Sequence, residues 1–186
     1  AFARPLLEEL ESGDYDLSTV DIIGVERLDV STSNSSVTIT NVQLAGFTEL
    51  VSNFGNSTLV VTGGGVDLAN TPQLAFWNTF AGIHVIGSSG NDAITGGSRG
   101  VLTLEGGGGN DTLTGSARPD TLIGGLGNDT YLNAAGDTIV EAINGGTDTV
   151  QADTTTTLAD NVERLFLIGS AAADGTGNTL ANQLSG

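Results

Sequence analysis

The 186-residue chain contains no cysteine. Disulfide bridges and thiolate metal sites are therefore excluded. Lysine is also absent. The five basic residues are Arg4, Arg27, Arg99, Arg118 and Arg164, against 22 acidic ones, for a net charge of −17. A chain so poor in positive charge repels nucleic acid and anionic membrane surfaces. No apolar run approaches the length of a transmembrane helix, so no membrane insertion is expected. The first ten residues include Glu8 and Glu9 and lack the basic start and apolar centre of a secretion leader. One histidine is present, His84, so no histidine pair exists to hold a transition metal. It alternates with Ile83 and Val85 and is expected on the outside of a strand. No Gly-x-Ser-x-Gly elbow occurs. The arginines lie too far apart to neutralise an anionic polysaccharide at one point. The chain reads as non-enzymatic.

Glycine is abundant instead, with 28 residues, and its placement is ordered. Gly106-Gly107-Gly108-Gly109-Asn110-Asp111-Thr112-Leu113-Thr114 follows the pattern G-G-x-G-x-D-x-U-x, where U is apolar. Gly124-Gly125-Leu126-Gly127-Asn128-Asp129-Thr130-Tyr131-Leu132 repeats it. The segment from Gly87 to Thr95 lacks only the second glycine, and that from Gly115 to Ile123 keeps the aspartate, Asp120. Glycines permit turns through positive φ and leave carbonyl oxygens unshielded. The aspartate adds an anionic oxygen. Calcium takes six to eight such oxygens. The apolar eighth residue points into a core while its neighbours point out. A flexible linker has no reason to hold an aspartate and an apolar residue at fixed offsets. With few opposing charges, the acidic surface suits both solubility and a ligand of several cations. Metal binding then supplies folding energy that composition withholds.

A wider periodicity frames these loops. Leu28, Leu50 and Leu74 lie 22 and 24 residues apart, and Val37/Ile39, Leu59/Val61 and Ile83/Val85 keep a similar step. A further column runs Leu44, Leu68, Ile94, Leu113, Tyr131, Val150, with the interval shortening to 18 or 19 residues once the glycine loops begin. Fixed apolar columns with β-branched neighbours predict stacked strands. The expected fold is all-β: a right-handed parallel β-helix, or solenoid, passing into a β-roll. Residues 1–19 form a cap or partial rung, with 5–12 either a short helix or one more strand. Residues 20–86 form rungs with Val42 and Val66 where the loop aspartate would fall. Residues 87–150 form the roll. Residues 151–186 form Asn/Gly-rich rungs that stop where another glycine turn would begin, so a longer protein is expected. Phe76, Trp77 and Phe80 read as core or a rung corner, or as a docking patch. The sequons Asn34-Ser35-Ser36 and Asn56-Ser57-Thr58 read as chance matches in a Ser/Thr-rich chain.

From Gly87 to Asp148 the chain resembles the RTX (repeats-in-toxin, haemolysin-type) family of calcium-binding proteins. The resemblance implies several Ca²⁺ ions held between stacked loops. One ion would meet Gly87, Ser89, Asp92, Gly107, Gly109 and Asp111. The next would meet Gly106, Gly108, Asp111, Gly125, Gly127 and Asp129, so that Asp111 serves two. Asp148 would extend this stack. The opposite side is weaker: Gly96-Gly97-Ser98-Arg99 lacks an aspartate, and Arg118 replaces a glycine. One ion there would be shared by Asp120 and Asp137. Glu141, four residues after Asp137, either finishes a site or is a solvated strand residue. The resemblance further implies a bacterial, extracellular module exported by a type I system. Its expected role is to stabilise an attached enzyme, toxin or adhesin. The alternative is a self-associating block of a surface layer, matrix or filament.

Overall fold

A computed structural model describes residues 14–19, 27–29, 36–40, 42–43, 49–51, 57–63, 80–96, 101–132, 136–169 and 172–186. The expected cap at 5–12, the leucines at 44, 68 and 74, the aromatic pair Phe76 and Trp77, and Arg99 lie outside them.

Short strands alternate between two main parallel sheets. The first contains β1 (Asp14–Asp16), β3 (Ser36–Thr40), β5 (Ser57–Thr62), β6 (Phe80–Ile86), β8 (Leu102–Gly108), β10 (Thr121–Leu126) and β12 (Thr138–Val140), adjacent in that order. The second contains β7 (Ala93–Thr95), β9 (Thr112–Thr114), β11 (Thr130–Leu132), β13 (Thr149–Ala152), β15 (Arg164–Leu167) and β17 (Gln183–Ser185). Two small parallel pairs complete the coil: β2 (Arg27–Asp29) with β4 (Glu49–Val51), and β14 (Thr156–Thr157) with β16 (Gly175–Thr176). From β7 to β13 the chain crosses from one sheet to the other at every strand, which makes the fold a β-solenoid.

The register explains why these residues become strands. Ile39, Val61, Val85, Leu104, Leu122 and Ile139 are successive partners along the first sheet. Ile94, Leu113, Tyr131, Val150, Leu165 and Leu184 are successive partners along the second. All of both columns except Ile139 and Leu184, at the ends, are buried in one continuous core. Alternation then sends their neighbours outward, as in β8, where Leu102 and Leu104 are buried and Thr103 and Glu105 are half-exposed. His84 pairs with Thr103 on this outer row, and its Nε2 lies 3.0 Å from Glu105 Oε2. A one-residue slip would turn every core side chain to solvent, so the columns fix the register. The fixed register is what stacks the connecting loops.

Candidate metal centre

The loops 87–92, 106–111 and 124–129 lie one above another at one edge of the roll. Their backbones interlock: Gly108 N–H donates to Ser88 O (3.1 Å), Gly109 N–H to Leu126 O (2.8 Å) and Gly127 N–H to Gly145 O (2.8 Å). The second and fourth glycines do specific work. Gly107 and Gly125 have φ of 104° and 107°, and Gly109 and Gly127 have φ of 106° and 126°. Side chains rarely adopt such angles. A Cβ on Gly125 or Gly127 would also strike the carbonyl oxygen of Gly107 or Gly109.

The aspartates form a ladder. Asp111 Oδ1 accepts from Asp92 N–H (2.8 Å), Asp129 Oδ1 from Asp111 N–H (2.7 Å), and Asp148 Oδ1 from Asp129 N–H (2.8 Å). Glu163 Oε2 continues it by accepting from Asp148 N–H (2.8 Å). A second ladder climbs the opposite edge, where Asp120 Oδ1 accepts from Leu102 N–H and Asp137 Oδ1 from Asp120 N–H. One oxygen of each carboxylate is thereby satisfied. In four of them the other is not: the Oδ2 atoms of Asp111, Asp129, Asp137 and Asp148 are buried with no hydrogen-bond partner. Burial accordingly pushes the carboxyls of Asp111, Asp129 and Asp137 above their ordinary range. Asp148 is pushed to about 6, first by burial and then by the charges of Asp129 and Glu163. Leaving ionised carboxylates without water or partner costs several kcal/mol each. An arrangement of buried anionic oxygens beside bare carbonyls fits a hard, oxygen-seeking cation of the calcium class.

Not every aspartate stands alike. In the loop 87–92, Ser88 occupies the second position, and its N–H donates to Asp92 Oδ2 (2.6 Å). In 115–120, Ser116 N–H does the same to Asp120 Oδ2 (2.5 Å). The Oδ2 of each is thereby engaged, and Asp120, whose Oδ1 accepts from Leu102 N–H, has both oxygens engaged. Asp92 and Asp111 are both expected ligands, and they differ at Oδ2: that of Asp92 accepts from Ser88, and that of Asp111 is buried without a partner.

The sequence leaves Glu141 open between finishing a site and a solvated strand residue. Its sequence neighbour is Asp137, on the weaker side. The structure instead gathers Asp129, Glu141 and Asp148, all buried, with one carboxylate oxygen from each within 4.8 Å of the others. The Tyr131 hydroxyl donates to Glu141 Oε1. Burial, then the charges of Asp148 and Asp129, raise Glu141 to about 7 against the lowering effect of that hydrogen bond. Burial and the same carboxylates push the Tyr131 hydroxyl upward. Tyr131 and Glu163 escape the sequence reading because one occupies an apolar column and the other an unremarkable position before a strand. An asparagine ladder was missed too. Asn91, Asn110 and Asn128 accept from the backbone N–H of Asn110, Asn128 and Thr147 at 2.7, 2.7 and 2.8 Å. Its signal was present, since asparagine precedes the aspartate in three loops.

With this geometry in view, comparison with known families becomes specific. Residues 84–98 and 105–140 match the model of the RTX calcium-binding nonapeptide repeat, in four copies. The chain carries RTX calcium-binding repeats. The matched segments hold the three stacked loops and the opposite loop at 115–120, and stop just short of Glu141 and Asp148. No curated protein and no solved structure matches the chain. RTX repeats coiled into a β-solenoid make this a calcium-binding structural module. No helix among the described residues is long and apolar enough to cross a membrane.

Proposed function

We propose that residues 87–150 are a calcium-driven folding unit, whose ions sit between successive loops and hold the coil closed. The observation that carries this reading is the set of four buried Oδ2 atoms without partners, on Asp111, Asp129, Asp137 and Asp148. Each aspartate spends one oxygen on the backbone of the adjacent turn and keeps the other for an ion. On the stacked edge, the carbonyls around Gly87, Ser89, Gly106, Gly107, Gly108, Gly109, Gly125 and Gly127 complete the donor set with Asp92, Asp111, Asp129 and Asp148. On the opposite edge, Asp120 and Asp137 share an ion. Among the described residues, strands before 87 and after 150 extend the two sheets.

The cellular role follows from calcium supply. Extracellular calcium modules bind at roughly 10⁻⁴–10⁻³ M. A chain of net charge −17 tuned to that range stays open in a calcium-poor cytosol and folds after export. We therefore read it as a non-catalytic, extracellular, stabilising part of a larger exported protein. Isothermal titration with calcium, magnesium and zinc tests the reading. Uptake of several calcium ions, with magnesium weak and zinc weaker, is expected from an all-oxygen donor set. Failure to take up calcium at millimolar concentration refutes it.

A further inference from the structure

Two of the three repeated loops share a pattern at their first glycine. A Cβ on Gly87 would meet the Gly106 carbonyl oxygen and Asp92 Oδ2. A Cβ on Gly106 would meet the Gly124 carbonyl oxygen and Asp111 Oδ2. Each first glycine therefore faces its own aspartate and the first carbonyl of the following loop. At Gly124 the pattern changes. The same point is approached by Asp129 Oδ2, by Glu141 Oε1 and by the Tyr131 hydroxyl. The two nearest atoms from outside the loop's own aspartate are here side-chain oxygens, of Glu141 and Tyr131.

The following loop differs as well. The register that pairs Gly127 with Gly145 would put Ile143 at its first position. There the chain turns instead: Gly145 N–H donates to Ala142 O (3.0 Å), Asn144 takes a φ of 59°, and Ile143 points into solvent. Glu141, 8% exposed, enters beside this turn from the end of β12.

We propose that Asp129, Glu141 and Asp148 form a distinct three-carboxylate calcium site that closes the stacked edge and binds more tightly than the repeating positions before it. A cluster of acids alone would not justify a site. Here Asp129 and Asp148 are 1% and 0% exposed, and the Oδ2 of each is without a partner. The repeating position between Asp111 and Asp129 has two carboxylates, and the closing one has three. Calcium affinity rises with ligand charge and with rigidity of the site. Rigidity is supplied by Asp148 N–H on Glu163, by Asp129 N–H on Asp148, and by the Tyr131 hydroxyl on Glu141. Asp148 and Glu141 lie outside the matched repeats, and the inference deepens the calcium-binding reading on which it rests.

Tyr131 makes the site observable, because an aromatic ring touching a ligand sensitises luminescence of bound terbium, a calcium-like cation. The 186-residue chain, Glu141→Gln, Tyr131→Phe and Asp111→Asn would be titrated with calcium and, separately, with terbium under excitation of the aromatic residues. The first ion bound should raise the sensitised terbium signal. Tyr131→Phe should remove most of that signal and shift the first calcium midpoint less than threefold. Glu141→Gln should raise the first midpoint at least tenfold, and Asp111→Asn should move later phases instead. An unchanged first midpoint in Glu141→Gln, or full terbium emission in Tyr131→Phe, overturns the closing site while leaving calcium binding by the repeats intact. If Glu141→Gln does not fold, the terbium signal of Tyr131→Phe decides by itself. Absence of calcium uptake by the unmodified chain would defeat the broader reading as well.

Discussion

A carboxylate in this solenoid is defined by what its second oxygen touches. Asp111 Oδ2 is buried and unpartnered, whereas Asp120 Oδ2 receives the Ser116 N–H at 2.5 Å. Asp111→Ala should therefore raise the calcium midpoint for folding by about tenfold or more, equivalent to about 1.4 kcal/mol, and Asp120→Ala by clearly less. Calcium titrations of the two variants compare them directly, and equal damage would contradict the distinction. Protonation gives a second residue-level expectation. Glu141 is raised to about 7 and Asp148 to about 6 in the ion-free fold. Raised carboxyls keep protons that the unfolded chain has already released. The ion-free fold is then least disfavoured near pH 4 to 5, loses stability as pH rises towards 7, and carries the full penalty above it. Calcium displaces those protons, so its apparent affinity should fall on acidification from pH 8 to 5.5. Each proton displaced weakens binding by about tenfold per pH unit. Titration calorimetry in buffers of different ionisation enthalpy measures the protons released. A pH-independent affinity over that interval would contradict the placement of Glu141 and Asp148.

At the scale of the element, loops of one length close in three ways. The loops at 106–111 and 124–129 close through glycines at positive φ. Gly127→Ala should destabilise even at saturating calcium by at least about 1–2 kcal/mol, the cost of forcing a side chain into the left-handed region. The thermal midpoint in excess calcium measures this, and an unshifted midpoint would show that the turn has relaxed. The loops at 87–92 and 115–120 close through serine. The loop at 177–182 closes through asparagine: Asn182 Oδ1 accepts from Asn178 N–H (2.8 Å), and its amide donates to Val162 O (3.0 Å). The Asn178 amide donates to the same carbonyl at 2.8 Å and to Ala159 O at 2.5 Å. Amide donors here occupy the carbonyls that an ion would otherwise satisfy. Hydrogen exchange in chelator should leave the backbone amides of 158–184 better protected than those of 106–130. Equal exchange would show that amides do not replace the ion.

For the whole molecule, the legible part of the sequence was whatever repeats. The columns Val37/Ile39, Leu59/Val61 and Ile83/Val85 appear as register partners, as do Ile94, Leu113, Tyr131 and Val150. Repetition is visible because each rung solves the same packing problem. The closing position was not legible, because it departs from the repeat. Glu141 meets Asp129 and Asp148 beside the turn at Asn144, and no spacing rule announces that turn. Tyr131 was read correctly as core, yet its hydroxyl reaches the carboxylates from inside the column. The sequence left Glu141 open between finishing a site and a solvated strand residue, and the fold buries it beside Asp129 and Asp148.

The central claim is that calcium supplies the folding energy of residues 87–150, since the buried carboxylates oppose the fold without it. Far-ultraviolet circular dichroism of the chain in EDTA and in millimolar calcium chloride tests this most directly. The account predicts a largely disordered spectrum in EDTA and a cooperative gain of β signal on adding calcium, reversed by chelation. A β spectrum of full intensity in EDTA, unchanged by calcium, would contradict it.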